Sequence, residues 1–365
     1  MVLIFDSNPT HVCWCKIIGK NFIEGKCKLN ESWAVSFKKK IKDYDKITKV
    51  AYILRNGGEY IKKPVSYLTP RTLNRLKKCT KFLPEYNELT YQIANYFVKK
   101  IPNALHIMLC DTSFFLRLPE EAATYAVPYK LRKKGVRKYG GFGLSHYWAY
   151  RQIEFLIKTH NKRVISIYLG KYSSICAVEN RNPVEISIGF TPVEGIPSVS
   201  TPGTIDPTII FNLHSAGMSL KEINELLSRK SGFNAFFGKK YSLKEIINQK
   251  EIINNKDKIK KNTMREIYCY NIVKYVGSYI SLLGGVEGIA FFCENPHDYK
   301  NFILEICKKF AFLGLKCKAN VTQKQTLLEF TKRDSNIKVY CLEYNKWRVL
   351  NQYVNGSLSQ GGKRW

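Results

Sequence analysis

Short apolar runs separated by polar segments recur along the chain, and their lengths predict strands. Each run is shorter than a helix of ordinary length, and residues of the β-forming type occur in most of them. The runs of strand length are Val2–Phe5, Ile47–Leu54, Leu105–Cys110, Val164–Tyr168 and Val339–Leu342. We therefore expect buried strands at these places.

The first run is followed by a polar segment that indicates a turn. Asp6–His11 contains a proline and several short polar side chains, which favour turns. Val12–Ile18 then alternates in polarity, as a half-buried strand does. The sequence therefore predicts a turn over Asp6–His11 between two strands.

Helix-start signals lie between the predicted strands. Thr69 and Pro70 form an N-cap with proline in the first helical position, and Ser219 with Glu222 forms a capping box. Further helices are expected over residues 244–262 and 267–283. Strands that alternate with helices predict an α/β architecture. Because 365 residues exceed one ordinary core, we expect two domains.

The charge of the chain suggests a polyanionic partner. Lys and Arg number 59 and Asp and Glu number 29, so the net charge is +30. A field of this size attracts polyanions, and it releases counterions when it meets phosphates. Lys-rich codon usage would explain the lysines but not the scarcity of acids, although a single charge run is usually only a solvated face. The candidate contacts are Lys38, Lys39, Lys40, Arg71, Arg75, Lys77, Lys78, Lys239, Lys240, Lys256, Lys258, Lys260, Lys261, Lys363 and Arg364.

The cysteines and the two ends of the sequence indicate the cellular compartment in which we expect the protein. The 11 cysteines are irregularly spaced without a C-x-x-C pair, which argues against a metal site and for reduced, mostly buried thiols in a reducing compartment. No apolar run reaches the roughly 18 residues of a membrane span. No signal or transit peptide precedes the first strand, which does not exclude mitochondria. Residues 356–365 are Gly/Ser-rich and basic, and we expect a flexible tail.

The segment Gly189–Pro207 is dense in glycine and proline, which predicts a shaped loop. It resembles the signature loop of the acetate kinase family, which reads roughly G-F-T-P-L-E-G-L-x-M-G-T-R-x-G-x-I-D-P. The family arginine that stabilises the transferring phosphoryl group corresponds to Thr201. The retained frame consists of Gly189, Phe190, Thr191, Pro192, Glu194, Gly195, Gly203, Asp206 and Pro207.

The clearest match to the same family runs from Asp111 to Gly140. Residues 111–114, 125–129 and 135–140 follow the family patterns D-T-A-F, Y-A-L-P-Y and G-[IV]-R-[RK]-Y-G. The resemblance implies that the Asp111 carboxylate lies beside the transferred phosphoryl group. Gly57 and Gly58 are retained from another motif, G-G-E.

Other motif positions depart from the family. The resemblance implies that the departures remove phosphate donors, both arginines, a histidine and the glutamate that helps hold Mg²⁺. Pro9 has no N–H group to offer a phosphate, and Ile53 cannot hydrogen-bond a substrate carboxylate. The departing positions are Asp6, Pro9, His11, Cys13, Ile53, Tyr86, Phe142, Lys171, Thr201 and Lys346.

The resemblance covers about residues 2–355 and implies the acetate/sugar kinase–Hsp70–actin (ribonuclease H-like) fold. It implies two similar α/β domains around a cleft: residues 1–114 with 347–365, and residues 115–346. It also implies the family reaction, in which acetate attacks the γ-phosphoryl group of ATP and acetyl phosphate forms. ATP and Mg²⁺ would be required if the chain were active.

We expect that the chain keeps the fold of the family and has lost its kinase activity. The leading hypothesis is a pseudoenzyme without cofactors, reused as a basic RNA-binding subunit of a ribonucleoprotein, with the mitochondrial ribosome as first choice. The expected partners are RNA and particle subunits, with no membrane, in the mitochondrial matrix or otherwise the cytoplasm; a homodimer is expected if the chain is not particle-bound. Two alternatives stay open. One is a divergent active acyl kinase in which Asp111, Arg55 and Lys171 compensate, and the other is a non-catalytic ligand sensor.

Overall fold

The structure is a computed structural model. It describes residues 1–29, 37, 41, 43–157, 160, 162–237, 241–248, 255–324 and 327–358, with only the backbone for residues 255–261 and 324. Several predicted polyanion contacts lie outside the described residues: Lys38, Lys39, Lys40, Lys239, Lys240, Lys363 and Arg364. The side chains of Lys256, Lys258, Lys260 and Lys261, and residues 359–365 of the predicted tail, also lie outside them.

The chain divides into two compact units. The first contains Met1–Leu116, Gly141–Ser145 and Asn345–Trp365, and the second contains Arg117–Gly140 and His146–Tyr344. The first unit therefore includes Gly141–Ser145 and resumes at Asn345, whereas the sequence-based division placed residues 115–346 in the second domain. Each unit is built on one mixed sheet with helices.

The first unit has a six-stranded sheet in the order β3-β2-β1-β4-β6-β5. Strands β1, β4 and β6 are parallel, whereas β2, β3 and β5 join them in antiparallel pairs. Its strands are β1 (Val2–Asn8), β2 (His11–Ile18), β3 (Asn21–Lys28), β4 (Lys49–Leu54), β5 (Val65–Tyr67) and β6 (Leu105–Cys110).

Aromatic side chains fill the core of the first unit. Phe5 of β1 stacks on Tyr52 of β4 at 6.0 Å between ring centroids and contacts Phe97 at 4.7 Å. Phe97 belongs to a helix that packs on β1 and β4. The helices of this unit are α1 (Pro70–Lys78) and α2 (Pro84–Lys100), and later in the chain α12 (Lys346–Val354).

The second unit has a seven-stranded sheet in the order β11-β12-β13-β10-β7-β8-β9. Strands β7, β10 and β13 are parallel, and antiparallel strands continue the sheet at both edges. A meander followed by parallel strands therefore occurs in both sheets. The strands are β7 (Arg163–Tyr168), β8 (Ser174–Glu179), β9 (Asn182–Ile186), β10 (Gly288–Cys293), β11 (Cys317–Lys324), β12 (Leu327–Thr331) and β13 (Lys338–Glu343).

Helices of the second unit pack around a core that includes Tyr268, Phe291 and Phe302. Helix α5 begins in the first unit at Gly143 and continues into the second. The remaining helices are α3 (Glu120–Ala123), α4 (Tyr129–Lys133), α5 (Gly143–Ile153), α6 (Thr208–Ser215), α7 (Leu220–Arg229), α8 (Phe233–Phe237), α9 (Leu243–Ile247), α10 (Asn255–Leu283) and α11 (Lys300–Lys308).

The structure confirms the five strands predicted from apolar runs, the strand predicted over Val12–Ile18 and both helix starts. Thr69 caps α1 and Ser219 caps α7, each in a capping box. The predicted turn over Asp6–His11 is wrong, because β1 continues to Asn8 and β2 begins at His11, so the turn is only Pro9–Thr10. Asp6 and Ser7 are buried strand residues rather than turn residues.

The predicted helix over residues 244–262 is also revised. The described part has a short helix, α9, which ends at Ile247, and a longer helix that begins at Asn255. Nine of the 11 cysteines are buried and two are partly exposed, as expected for structural thiols. Among the described residues, no helix has the length and apolar character needed to cross a membrane.

His146 is a fully buried polar residue in the second unit. Its Nδ1 lies 2.8 Å from the Ser166 hydroxyl oxygen on β7, and its Nε2 lies 2.7 Å from the Ser174 hydroxyl oxygen on β8. Burial lowers the pKa of His146 from 6.5 to about 3. The ring therefore stays neutral at physiological pH and stabilises the packing of β7 and β8.

This burial predicts a pH dependence of stability. The unfolded chain gains a proton at His146 below about pH 6.5 while the folded chain does not, so stability is lost as the pH falls from 6.5 towards 3. Each pH unit in this window costs about 1.4 kcal/mol. We expect His146→Gln to lower stability at pH 7 but to flatten its decline between pH 6.5 and 5.

Urea unfolding followed by circular dichroism at a series of pH values measures that slope. His297→Gln is the matched control, because His297 is exposed and its side chain lies outside the core. It should leave the slope unchanged. Equal slopes for the wild type and His146→Gln would contradict the prediction.

Candidate functional site

Charged side chains gather at one edge of the first sheet, where its parallel strands end. Asp6 lies near the carboxyl end of β1, Arg55 follows β4 and Asp111 follows β6. The carboxyl ends of parallel strands form the usual binding edge of α/β sheets. Lys346, the first residue of α12, is close to the same group. These four side chains form the charged cluster, which lies entirely within the first unit.

Asp6 is the buried anchor of the charged cluster, with only 1% of its surface exposed. Its Oδ1 accepts a hydrogen bond from Arg55 Nη2 at 2.5 Å, and its Oδ2 accepts one from Lys346 Nζ at 2.6 Å. Burial acts to raise the pKa of Asp6, but the charges of Arg55 and Lys346 outweigh it and hold the pKa below the usual value. Asp6 is therefore an anion with both oxygens engaged.

The Asp111 carboxylate is held by one cation and two backbone amides. Arg55 Nη1 donates to its Oδ2 at 3.4 Å, and the N–H groups of Phe142 and Leu144 donate at 3.2 and 3.4 Å. Burial raises the pKa of Asp111 despite these donors. Phe142 has a φ of 59°, a left-handed conformation that is uncommon for a bulky residue. At this position, the chain contributes its backbone N–H to Asp111.

Arg55 bridges the two carboxylates. Burial opposes its charge, but Asp6 and Asp111 outweigh that effect and raise the pKa of Arg55, and Tyr86 lies close enough to add to the shift. Its Nε is buried and has no hydrogen-bond partner among the described residues. About 20% of its side chain is exposed. The guanidinium is therefore fixed and permanently charged, and part of the Arg55 side chain is accessible.

The retained Gly57–Gly58 segment fixes the chain after Arg55. The Gly57 N–H donates to the Thr112 hydroxyl oxygen at 3.0 Å, which ties this segment to the residue after Asp111. Asn87 of α2 is fully buried and donates to the Asn56 carbonyl oxygen at 2.7 Å. These contacts position Arg55 relative to Asp111 through hydrogen bonds that the sequence did not reveal.

Four other residues that depart from the family pattern lie in the strands and the hairpin turn of the first unit. Ile53 is buried within β4, Pro9 forms the hairpin turn and His11 begins β2. Cys13 lies opposite Asp6 in the β1–β2 pairing, and burial raises the pKa of its thiol. None of these four side chains belongs to the charged cluster.

The pairing of Lys346 with Asp6 was missed by the sequence analysis. In the sequence, the two residues stand as separate losses in motifs far apart in the chain. The signal was present, however, because one motif position had gained a negative charge and the other a positive charge. Reciprocal charge changes of this kind indicate contact.

The signature loop in the second unit closes on itself around Thr201. The Thr201 hydroxyl lies 2.6 Å from that of Ser198, and the Ser198 N–H donates to the Thr201 carbonyl oxygen at 3.0 Å. Only 2% of Thr201 is exposed. Gly195 and Gly203 have φ values of 116° and 78°, which permit these turns. Thr201 is thus a structural residue of the loop.

Other loop residues that match the family pattern form hydrogen bonds that hold the shape of the loop. The Glu194 carboxylate accepts a hydrogen bond from the Tyr125 hydroxyl, which in turn accepts one from the Phe190 N–H at 2.8 Å. Asp206 accepts from the Thr208 N–H at 2.8 Å, where Pro207 leads into α6. The remaining frame positions are Gly189, Thr191 and Pro192. This loop therefore keeps its shape through its own contacts.

Lys171 and α1 present exposed cations. The Lys171 ammonium lies 5.3 Å from the centre of the Tyr172 ring. On α1, the exposed cations Arg71, Arg75, Lys77 and Lys78 take part in none of the ion pairs formed among the described residues. The expected RNA contact, homodimer and mitochondrial location stay predictions.

The residues of the charged cluster do not fit a protein-held Mg²⁺ ion. Mg²⁺ requires oxygen ligands, usually with carboxylates among them. The position expected for the metal-side glutamate carries the cation Lys346, and the oxygens of Asp6 and Asp111 already accept hydrogen bonds. Among the described residues, no group of three or more His, Cys, Asp or Glu side chains could hold a metal ion.

The chain is similar to acetate kinases over most of its length. A sequence model of the acetokinase family matches residues 29–352. The acetate kinase of Sulfurimonas denitrificans is 31% identical over 309 residues, which cover 83% of this chain and 76% of that protein. The acetate kinase of Porphyromonas gingivalis is 31% identical over 313 residues, covering 82% and 75%.

Solved structures confirm the predicted fold class. The acetate kinase of Entamoeba histolytica matches with a TM-score of 0.84 over 99% of this chain and 100% of that one, at 21% identity. The Porphyromonas gingivalis enzyme matches with a TM-score of 0.81 over 97% and 98%, at 24% identity. At these identities the likeness shows the fold, which is the two-domain acetate/sugar kinase–actin fold.

These findings overturn the leading hypothesis of a non-catalytic ribonucleoprotein subunit. That hypothesis counted each departure from the motifs as a loss, whereas the relatives named above are acetate kinases at about 30% identity over four-fifths of the chain. In the structure, Arg55 pairs with the retained Asp111 and with Asp6, and Lys346 pairs with Asp6, so charge has been rearranged at the site rather than removed. The prediction was therefore wrong in its main reading, and the chain belongs to the acetokinase family.

Proposed function

We propose that the protein is an acyl kinase, which transfers a phosphoryl group between ATP and a small carboxylate, with acetate as the first candidate. The proposal is supported by family membership and by relatives that are named acetate kinase. The observation that carries it is the contact of Arg55 with Asp111 at the carboxyl edge of the first sheet. A fixed guanidinium beside a retained acidic residue is an arrangement suited to phosphoryl chemistry.

Phosphoryl transfer depends on positioning and on stabilisation of spread negative charge, since little covalent chemistry is left to the protein. Arg55 supplies that charge in this proposal. Its planar guanidinium offers five N–H donors, of which two reach Asp6 and Asp111. The partly exposed side of Arg55 binds oxygens of the transferring group, and we assign it as the catalytic residue.

Asp111 acts as a positioning residue in the proposed mechanism. Its carboxylate is fixed by the N–H groups of Phe142 and Leu144, and it holds one arm of Arg55. A side chain that orients another in this way acts by limiting its motion before the reaction. Asp6 holds the other arm, so the guanidinium plane is restrained from two sides.

Arg55→Ala should abolish most of the activity. Removing one charge-stabilising donor typically lowers kcat by about 10²–10³-fold. The measurement is ATP-dependent formation of acyl phosphate, trapped as the hydroxamate, with acetate and propionate as acceptors. Arg55→Lys keeps the positive charge but loses the planar guanidinium group. Its activity should therefore lie between that of the wild type and that of Arg55→Ala.

Arg75→Ala is the matched control for Arg55, because Arg75 is an exposed arginine of the same unit on α1. It should retain wild-type turnover. Circular dichroism confirms that each variant is folded. Wild-type turnover in Arg55→Ala, or no acyl phosphate from the wild type with either acceptor, would overturn the proposed function.

Asp111→Asn should change the pH profile as well as the rate. Burial raises the pKa of Asp111 above 3.8, so the wild-type carboxylate becomes protonated and releases Arg55 as the pH falls through that raised pKa. We expect kcat to decrease on the acid side in the wild type. The Asn variant should be slower at pH 7 and should lack this acid limb.

The pH profile separates positioning from a structural role. A variant that is only less stable would keep the shape of the wild-type profile when assayed below its unfolding temperature. An unchanged acid limb in Asp111→Asn would therefore assign the titration to another group and contradict the role given to Asp111.

A further inference from the structure

We infer that the charged cluster binds the phosphate groups of its nucleoside triphosphate substrate with its own two cations, Arg55 and Lys346, and does not require a divalent cation to do so. This inference rests on the proposed function, because it concerns the same site and substrate. It departs from what the family resemblance implies, which is a requirement for Mg²⁺.

The first support is the charge balance of the cluster. Two carboxylates, Asp6 and Asp111, are matched by two cations, Arg55 and Lys346, through contacts of 2.5, 3.4 and 2.6 Å. No net negative charge is left to attract a dication. Mg²⁺ in kinase sites is held by one or two carboxylates together with the substrate phosphates, and here both carboxylates are already neutralised by cations.

The second support is the occupancy of the carboxylate oxygens. Asp6 Oδ1 and Oδ2 accept from Arg55 and Lys346, respectively. Asp111 Oδ2 accepts from Arg55 and the Phe142 N–H, and Oδ1 accepts from the Leu144 N–H. A metal ion bound to Asp6 would lie against a fixed cation at either oxygen, and one bound to Asp111 would lie beside Arg55 at Oδ2 or share Oδ1 with a backbone donor.

The third support is that the cations keep donors for an anion. The Lys346 ammonium has three N–H groups and gives one to Asp6, and 33% of its side chain is exposed. It also lies 4.2 Å from the centre of the Trp347 ring, which helps to hold it in place. Arg55 is partly exposed beside it. Ammonium and guanidinium groups with free donors are the side chains that bind phosphate oxygens.

The reciprocal departures give this arrangement a direct test. The family resemblance implies a neutral side chain at position 6 and a glutamate at position 346, where this chain has Asp6 and Lys346. Lys346→Glu places a third carboxylate in the cluster and removes a cation. The double variant Asp6→Asn/Lys346→Glu also replaces the Lys346 cation by a carboxylate, but it removes the buried Asp6 carboxylate at the same time. It therefore tests the site even if the single variant is too unstable to purify.

The experiment is calorimetric titration of the full chain with ATP, once in excess EDTA and once with MgCl₂ in excess over ATP. We expect the wild-type Kd to differ by less than about threefold between the two, and each Lys346→Glu variant to bind at least about tenfold more weakly in EDTA than in Mg²⁺. Lys99→Glu, at an exposed lysine of the same unit to which no binding role is assigned, should behave like the wild type.

The outcomes separate this inference from the proposed function. Wild-type binding that weakens tenfold or more in EDTA, or no ATP binding in either condition, would overturn the inference. ATP binding that fails in EDTA, together with acyl phosphate formation in MgCl₂, would overturn the inference while leaving the acyl kinase intact. ATP binding in EDTA without acyl phosphate from any acceptor would support the metal-free phosphate site and overturn the acyl kinase.

Discussion

The burial of Asp6 is the constraint on which the candidate site depends. A carboxylate removed from water must be paired, since an uncompensated buried charge is among the most costly features a fold can contain. Asp6 is paired twice, with Arg55 after β4 and Lys346 at the start of α12. Because Arg55 also reaches Asp111, one buried anion fixes the position of the group proposed to act on substrate. Breaking either pair would leave a charge stranded inside the first unit.

Much of the fold could be predicted from the sequence because its signals are local. The five apolar runs became strands of the two sheets, and the Thr69 and Ser219 caps mark real helix starts. The motifs around Asp111 and within Gly189–Pro207 indicate the family from the sequence alone. Strands such as β3 and β5, which join the sheet at its edges, carry weaker patterns and were not predicted.

The chemistry of the site could not be predicted in the same way, because it depends on contacts between distant segments. Asp6 looked like a turn residue, since nothing nearby in sequence indicates the cations that allow its burial. Lys346 looked like the loss of a metal ligand, and its role as the partner of Asp6 appears only when β1 and α12 come together. A comparison made position by position therefore found the missing groups and missed the new pairings.

The ion pair between Asp6 and Lys346 also sets an order of events during synthesis. The two residues are 340 positions apart in the chain, and both belong to the first unit. As the chain leaves the ribosome, β1 emerges long before α12, so Asp6 lacks one of its two cations while the second unit is being made. The first unit can thus assemble its sheet early but can complete its charged edge only when α12 is released, after the second unit has been made.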